Sequence, residues 1–181
     1  MELTTLLDQD REIVLGKWFD RIRRTYPEVT SEFLAKQKDP FRNPVGHAIS
    51  RSIGPIFDQV VSAMDTDHIL SALDDVIRIR SVQDFSPSEA VAFIFDLKPA
   101  IREVMDSRVR GSESWNDLWE LESRVDRVAL LAFEKYMECR EKLHEIRTDE
   151  IKSRALQVLK RVNVRSAISE HEEERIDDDV S

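Results

Sequence analysis

The sequence predicts an all-α fold, a bundle of about six helices with an extended C-terminal helix. The 181 residues include only four glycines, and no run alternates β-branched and polar residues between hairpin turns. Apolar residues instead recur every three to four positions, which is typical of helices that bury one face. A chain of this length is expected to form one domain with a sizeable core.

Prolines and capping residues mark the first helices. A helix over about Leu3 to Tyr26 carries one apolar stripe and ends before a proline. A short helix follows over about Ser31 to Gln37. Asn43 suits the N-cap and Pro44 the first position of a third helix. The Gly54-Pro55 pair should bend that helix or restart it.

The next two helices have clear starting signals. The fourth, about Thr66 to Arg80, is capped by Asp65 or by Thr66 itself. The fifth begins at Ser86, which forms a capping box with Glu89, and continues to about Asp106. A proline near its middle predicts a kink or a restart around Phe95 to Lys98.

A long helix is predicted from Trp115 to about Val162, because no proline or glycine follows residue 111. About 48 residues of helix span roughly 70 Å, more than a compact domain covers. We therefore expect the near half to be a core helix and the far half to need a partner, as in a homodimer. The expected dimer seam has the 4-3 spacing of a coiled coil and consists of Val125, Ala129, Ala132, Tyr136, Cys139, Leu143 and Ile146. The spacing resumes at Ile151, Ala155, Val158 and Val162.

The formal net charge of −9 is concentrated at the C-terminus, where residues 169–181 hold seven acids against Arg175. This balance argues against a nucleic-acid partner, which would require a basic face. The acidic tail is interpreted as a solvated, disordered end, with a docking tail for a basic partner as the alternative.

Cysteine usage and hydropathy predict a cytoplasmic protein. The single Cys139 cannot form an internal disulfide, and the N-terminus lacks an apolar signal segment. No run approaches 18 apolar residues, so membrane insertion is not expected.

No motif of catalysis or metal binding is present, and we expect no enzyme activity. The sequence lacks a glycine-rich phosphate loop and the CxxC, HExxH and GxSxG patterns. Arg78 and Arg80 are candidates for an anion site, although a network that satisfies helix-end carbonyls is favoured. Trp115 and Trp119 are candidates for lining a small-molecule pocket, with core packing favoured.

Four stretches, in order, carry a family resemblance. They are Leu15-Gly16-Lys17-Trp18 through Tyr26-Pro27, Asp39 to His47, Asp74 to Phe85 with Ser86-Pro87-Ser88, and the fifth helix ending in Leu97-Lys98. Together they resemble the N-terminal sensor domain of the RsbR/RsbRD proteins, the RsbT co-antagonists of the bacterial stressosome. The resemblance extends from about Leu6 to Glu141.

This resemblance implies a globin-like fold of a kind generally regarded as free of haem. A haem ligand would have to be His47 or His68, and neither matches a globin's proximal-histidine signature, so no cofactor is expected. His47 joins the candidate ligand-binding residues. Relatives with full architecture place a STAS domain after the sensor to capture a kinase. The residues after Glu145 leave no room for it, so kinase capture is not expected here.

These observations divide the chain into a sensor domain at 1–146, an extended helix at 147–168 and an acidic tail at 169–181. The main hypothesis is a non-enzymatic, homodimeric regulatory module of the stress response that signals through protein–protein contacts. One alternative is a carrier of haem or a small ligand attached to a redox complex, since stand-alone relatives in sulfur-respiring bacteria point to a redox partner. Another is an adaptor that docks through its C-terminal helix.

Overall fold

Helices make up all the regular structure that a computed structural model describes. The description covers residues 3–37, 39, 41–83, 85–106 and 114–178, with the backbone alone for 114, 115 and 162–178. The predicted all-α class is thereby confirmed, whereas the globin-like arrangement stays a prediction. The helices are α1 (Leu3–Gln9), α2 (Arg11–Arg23), α3 (Glu28–Lys36), α4 (Pro44–Val61), α5 (Thr66–Val82), α6 (Pro87–Ala92), α7 (Leu97–Asp106) and α8 (Ser114–Asp178).

The chain divides into a body, Met1–Arg140, and a second unit, Glu141–Ser181. The domain limits expected at 146/147 and 168/169 stay predictions. The helix assignment extends to Asp178 and so includes most of the segment expected to be a disordered tail in solution. Within the described part, no helix is both long and apolar enough to cross a membrane.

The single first helix predicted from Leu3 to Tyr26 is wrong, because the chain turns at Asp10. The backbone of Asp10 leaves the helical region with φ −100° and ψ 15°, and α2 begins at the next residue. A straight helix over the predicted range would span roughly 36 Å. Leu7 of α1 and Val14 of α2, on either side of the turn, are both fully buried in the same core.

Asn43 joins the end of α3 to the start of α4. Its side-chain oxygen accepts a hydrogen bond of 2.8 Å from the Gly46 amide, which confirms it as the N-cap. Its side-chain nitrogen donates to the carbonyls of Leu34 at 3.1 Å and Gln37 at 2.8 Å. A Cβ on Gly46 would collide with the Asn43 amide, so this close approach requires glycine. The helix then continues through Pro55, so the chain does not restart there, and the alternative expectation of a bend stays a prediction.

The other two predicted caps are also confirmed. The Asp65 carboxylate accepts from the His68 amide at 3.1 Å. Ser86 and Glu89 form the capping box, in which the Ser86 amide donates to the Glu89 carboxylate at 2.9 Å. The restart predicted in the fifth helix is present as the turn at residues 93–96, which separates α6 from α7.

One core lies between the helices of the body. α4 packs on α5, and α2 packs on both α4 and α7. The Trp18 indole of α2 is fully buried and donates a 2.6 Å hydrogen bond to the Phe93 carbonyl, so α2 is held against the turn after α6. The largest buried apolar side chains include Trp18, Tyr136, Phe57, Phe93, Leu6, Ile22, Ile56 and Leu73.

The near half of the expected dimer seam belongs to this core. Four residues of the expected seam are buried within the chain itself, so they are not available to a partner. They are Val125, Ala129, Ala132 and Tyr136. Cys139 is half-buried against the same core, and in the second unit Leu143 is half-buried and Ile146 exposed. The 4-3 spacing led to the assignment of these four residues to a dimer seam. The same spacing occurs in a helix face that packs on the protein's own core and in one that packs on a second helix.

Ion pairs and carbonyl contacts hold the part of α8 that belongs to the body against α4, α5 and α7. Arg102 of α7 makes a two-pronged contact to Glu122 at 2.5 and 2.7 Å. Arg124 donates to the carbonyls of Val60 and Ser62, at 3.2 and 2.9 Å, and so satisfies the end of α4. Further along α8, Lys135 pairs with Asp74 of α5 at 2.8 Å.

The capping box at α6 should contribute measurably to stability. Ser86→Ala removes the side-chain acceptor for the Glu89 amide, and we expect a loss of about 1 kcal/mol in the free energy of unfolding by urea. Ser71→Ala, at an exposed position inside α5, is the matched control and should be neutral or slightly stabilising. Equal losses in the two variants would contradict a specific capping role.

The Asp74 ion pair should make stability depend on pH. The hydrogen bond from Lys135, aided by Arg78, lowers the pKa of Asp74 below its ordinary 3.8. A carboxyl whose pKa falls on folding stabilises above its unfolded pKa, and this contribution disappears as the pH falls through the folded pKa. Asp74→Asn should therefore cost about 1 kcal/mol at neutral pH and progressively less below about pH 4.

Urea unfolding at several pH values measures this difference. Glu32→Gln breaks an exposed ion pair within α3 and is the control, with a smaller effect expected at every pH. A loss for Asp74→Asn that persists undiminished into strong acid would show that the pair is not its source.

Candidate functional site

The most unusual site in the body is a buried arginine near the end of α5. The Arg80 side chain has 0% of its surface exposed. Arginine is almost never fully buried unless an anion pairs with it. No described carboxylate forms an ion pair with Arg80, so its charge is held by other means.

Three aromatic rings surround the guanidinium, and we call them the aromatic box: Tyr26, Phe85 and Phe93. The central carbon of Arg80 lies 4.8 Å from the ring centres of Phe85 and Phe93 and 5.3 Å from that of Tyr26. Tyr26 and Phe85 meet edge to face at 5.4 Å. Each ring presents its electron-rich face to the cation, an attraction of about 0.5–2 kcal/mol per contact.

Two neutral oxygens complete the surroundings of Arg80. One terminal nitrogen donates to the Glu89 carbonyl at 3.1 Å, and the other donates to the Thr25 hydroxyl at 3.2 Å. The Nε atom is buried and finds no hydrogen-bond partner among the residues that the structure describes. The arginine thus joins the end of α2, the α5–α6 loop, α6 and the turn that follows α6.

The electrostatics of this site reflect the desolvation of charge. Burial lowers the pKa of the Arg80 guanidinium, and attraction to Tyr26 and Asp96 opposes that shift. Burial also raises the pKa of the Tyr26 phenol, against the effect of Arg80. The half-buried Asp96 follows the same rule, since burial raises its pKa while Arg21 and Arg80 oppose the change. In all three groups the largest cause of the pKa shift is burial, which disfavours the charged form.

The structure does not bring the candidate ligand-binding residues together. Arg78 is exposed and pairs with Asp74 at 2.7 Å, two residues before the buried Arg80. His47 is exposed, and Trp119 has 77% of its surface exposed. The side chain of Trp115 lies outside the described part of the chain. Ligand binding at these residues therefore stays a prediction, and only Arg80 lies in the interior.

Two surface clefts lie elsewhere on the body. One, of about 240 Å³, is lined at its walls by Leu3, Leu121 and Arg124. The other, of about 360 Å³, lies between α4 and α5, and its lining includes Arg51 and His68. Neither cleft contains the aromatic box. No group of three or more metal-binding side chains occurs within the described residues.

Sequence reasoning identified Arg80 but missed the residues that enclose it. Phe85 could have been predicted from the sequence, because it lies five residues after Arg80 in the same Asp74 to Phe85 stretch. Tyr26 and Phe93 could not be found from spacing, since they lie far from Arg80 in sequence and meet it only in the folded chain. Asp84, in the Asp74 to Phe85 stretch that carries part of the family resemblance, lies outside the described residues.

Replacing Arg80 should destabilise the body strongly. Arg80→Ala removes two hydrogen bonds, abolishes three cation–ring contacts and leaves a cavity, so we expect a loss of about 3 kcal/mol in the free energy of unfolding. The matched control is Arg78→Ala, an exposed arginine on the same helix that should cost less than about 0.5 kcal/mol. Chemical unfolding followed by circular dichroism measures both, and similar losses would exclude a special role for Arg80.

Comparison with known proteins places the chain in a family. The sequence matches the family model described as RsbT co-antagonist protein rsbRD N-terminal domain over residues 12–151. It is also similar to an uncharacterized protein of Archaeoglobus fulgidus, with 23% identity over 155 residues that cover 84% of this chain and 91% of that protein. No solved structure matches it. Since the family model spans well over half of the 181 residues, including α2 to α7 and much of α8, the chain belongs to the RsbT co-antagonist RsbRD N-terminal domain family.

Proposed function

We propose that this chain is a non-enzymatic, cytoplasmic regulatory module of a stress-response system, which acts as a homodimer and signals through protein–protein contacts. The single observation that carries the proposal is the buried Arg80, a full charge held by neutral groups where four parts of the body meet. Family membership supports a regulatory role for such a site.

The Arg80 site has the properties of a two-state element. Its closed arrangement carries the cost of desolvating a cation with which no carboxylate among the described residues forms an ion pair. An anionic ligand, or an acidic side chain of a partner that reaches the guanidinium, would favour an arrangement in which the aromatic box opens. Such a ligand shifts the equilibrium by the difference between its affinities for the two arrangements. Movement there would displace the end of α2, the α5–α6 loop and α6 together, since Arg80 contacts all three.

An exposed row of apolar side chains, on the part of α8 that belongs to the body, supports signalling through protein contacts. The α8 row consists of Leu130, Phe133 and Met137, which are spaced by three and four residues and therefore share one helix face. They are 66%, 43% and 39% exposed. Adjacent exposed apolar side chains of this kind are typical of interaction surfaces.

The adaptor alternative retains support from the second unit, where Ile151, Leu156 and Leu159 are all more than half exposed. The haem alternative has no such support. His47 is exposed, and the His68 side chain is 73% exposed and bonds to Asp65. An axial histidine of a buried haem would have to face the interior of the bundle.

The α8 row should be needed for partner contact but not for folding. The double variant Leu130→Ser/Phe133→Glu changes only exposed positions, so its free energy of unfolding should stay within about 1 kcal/mol of the unmodified chain. In its native host, the tagged variant should lose the proteins that cross-link to the unmodified chain. Quantitative mass spectrometry after cross-linking measures that loss.

Trp119→Ser is the control, since Trp119 is an exposed aromatic residue of α8 outside the row. Loss of the same proteins in both variants, or in neither, would contradict the proposed contact surface. Light scattering on the purified chain tests the dimer separately, and a monomer at micromolar concentrations would contradict that part of the proposal.

A further inference from the structure

The loop between α5 and α6 is held from two sides. On one side, the Phe85 ring lies 4.8 Å from the Arg80 guanidinium and meets the Tyr26 ring edge to face. On the other side, the Tyr136 hydroxyl of α8 donates a 3.3 Å hydrogen bond to the Phe85 carbonyl. Phe85 therefore contacts Arg80 through its ring and α8 through its backbone.

A second hydrogen bond joins α8 to the start of the same loop. α5 ends at Val82, so Ser81 belongs to its last four residues, whose carbonyls have no partner within the helix. One terminal nitrogen of Arg140 donates to the Ser81 carbonyl at 3.1 Å. Ser81 directly follows Arg80, and Arg140 is the last residue of the body. The last turn of α8 in the body, residues 136–140, is thus bonded to both ends of the segment 81–85.

The burial of Tyr136 makes this turn sensitive to the position of the loop. The Tyr136 side chain is only 1% exposed, so water has little access to its hydroxyl. A buried hydroxyl that loses its hydrogen-bond partner is destabilising. Movement of the Phe85 backbone would leave the hydroxyl without this partner or take Tyr136 with it, and either change disturbs the turn that Tyr136 begins.

The earlier turns of α8 are held by contacts that do not involve the loop. Lys135, one residue before Tyr136, pairs with Asp74 of α5 at 2.8 Å. Buried apolar side chains, such as Leu121 and Val125, fix the turns before it in the core. Displacement of the loop should therefore loosen residues 136–140 and leave the preceding part of α8 in place.

We infer that the α5–α6 loop links the Arg80 site to the last turn of α8 in the body, so that opening of the aromatic box loosens residues 136–140. This inference rests on the proposed function, in which the Arg80 site has two states, and it names the segment that responds. Coupling between two sites is reciprocal, so loosening of this turn also favours the open box. An anion that reaches Arg80 and a partner that holds residues 136–140 in place would each weaken the binding of the other.

The responding turn includes part of the proposed contact surface. Met137 of the α8 row lies within it and is 39% exposed. A partner that packs on Met137 would therefore bind a segment whose order depends on the Arg80 site. The link gives the α8 row a means of responding to that site, although the two are formed by different side chains.

Amide hydrogen exchange on the purified full-length chain, followed by NMR, tests the link from the Arg80 site to α8. Phe85→Leu weakens the aromatic box and should raise the exchange rates of residues 136–140 at least about fivefold, against less than about twofold for residues 121–129. Phe57→Leu, the same substitution at a buried residue of α4, is the control and should not act selectively on residues 136–140. Equal acceleration of both segments by Phe85→Leu, or none, would overturn the inference.

The exchange rate of the Arg80 Nε proton tests the reverse direction. The double variant Tyr136→Phe/Arg140→Gln removes both bonds to the loop and keeps the buried ring, and it should accelerate this proton at least about fivefold. Arg124→Gln, which removes comparable bonds from α8 to the end of α4, is the control and should leave the proton unchanged. Adding Phe85→Leu to the double variant should no longer act selectively on residues 136–140.

Two negative results for the Arg80 proton have different meanings. A proton that exchanges by local opening, but at the same rate in the double variant, would overturn the link and leave the two-state site intact. A proton that exchanges only by global unfolding in every variant would contradict the two-state site itself, and with it that part of the proposed function.

Discussion

The body of this protein depends on the burial of one positive charge among neutral groups. Arg80 lies on α5, yet the groups that hold it come from the end of α2, from the α5–α6 loop, from α6 and from the turn that follows α6. A charge in the interior needs favourable contacts in nearly every direction, because water cannot supply them. The aromatic rings and two oxygens can surround it only if those four parts of the chain meet at one point. The requirements of a single side chain therefore restrict the path of the chain.

The contacts around the periphery are of a different kind. Arg11 pairs with Asp58, linking α2 to α4, and Glu103 on α7 receives both Lys17 and Arg21 of α2. These pairs lie at the surface, where salt bridges contribute little to stability. They select which helix surfaces face each other, whereas the buried apolar core supplies most of the favourable free energy.

The features that could be predicted from the sequence are those that depend on neighbouring residues. The caps at Asn43, Asp65 and Ser86 were predictable, because each satisfies amides within three residues of itself. The turn at Asp10 was not, since no proline or glycine marks it in the sequence. Tyr136 was assigned to a dimer seam although it packs inside the chain, because periodicity records that a face is buried but not what buries it. The aromatic box depends on contacts between residues that are distant in the sequence. Only Arg80 and Phe85, five residues apart, could be associated from the sequence alone.

The exposure of the second unit has a consequence for how its helix is formed. From residue 149 to residue 161 the described side chains contact mainly solvent, so the backbone hydrogen bonds of that stretch receive little support from packing. Helix formation in such a stretch is governed by the weak preferences of its own residues and declines on warming. A partner that covers its apolar face would supply the missing packing and raise the helix content at the same time. Association would then be accompanied by a folding transition, with a large negative change in heat capacity and an affinity that falls as temperature rises.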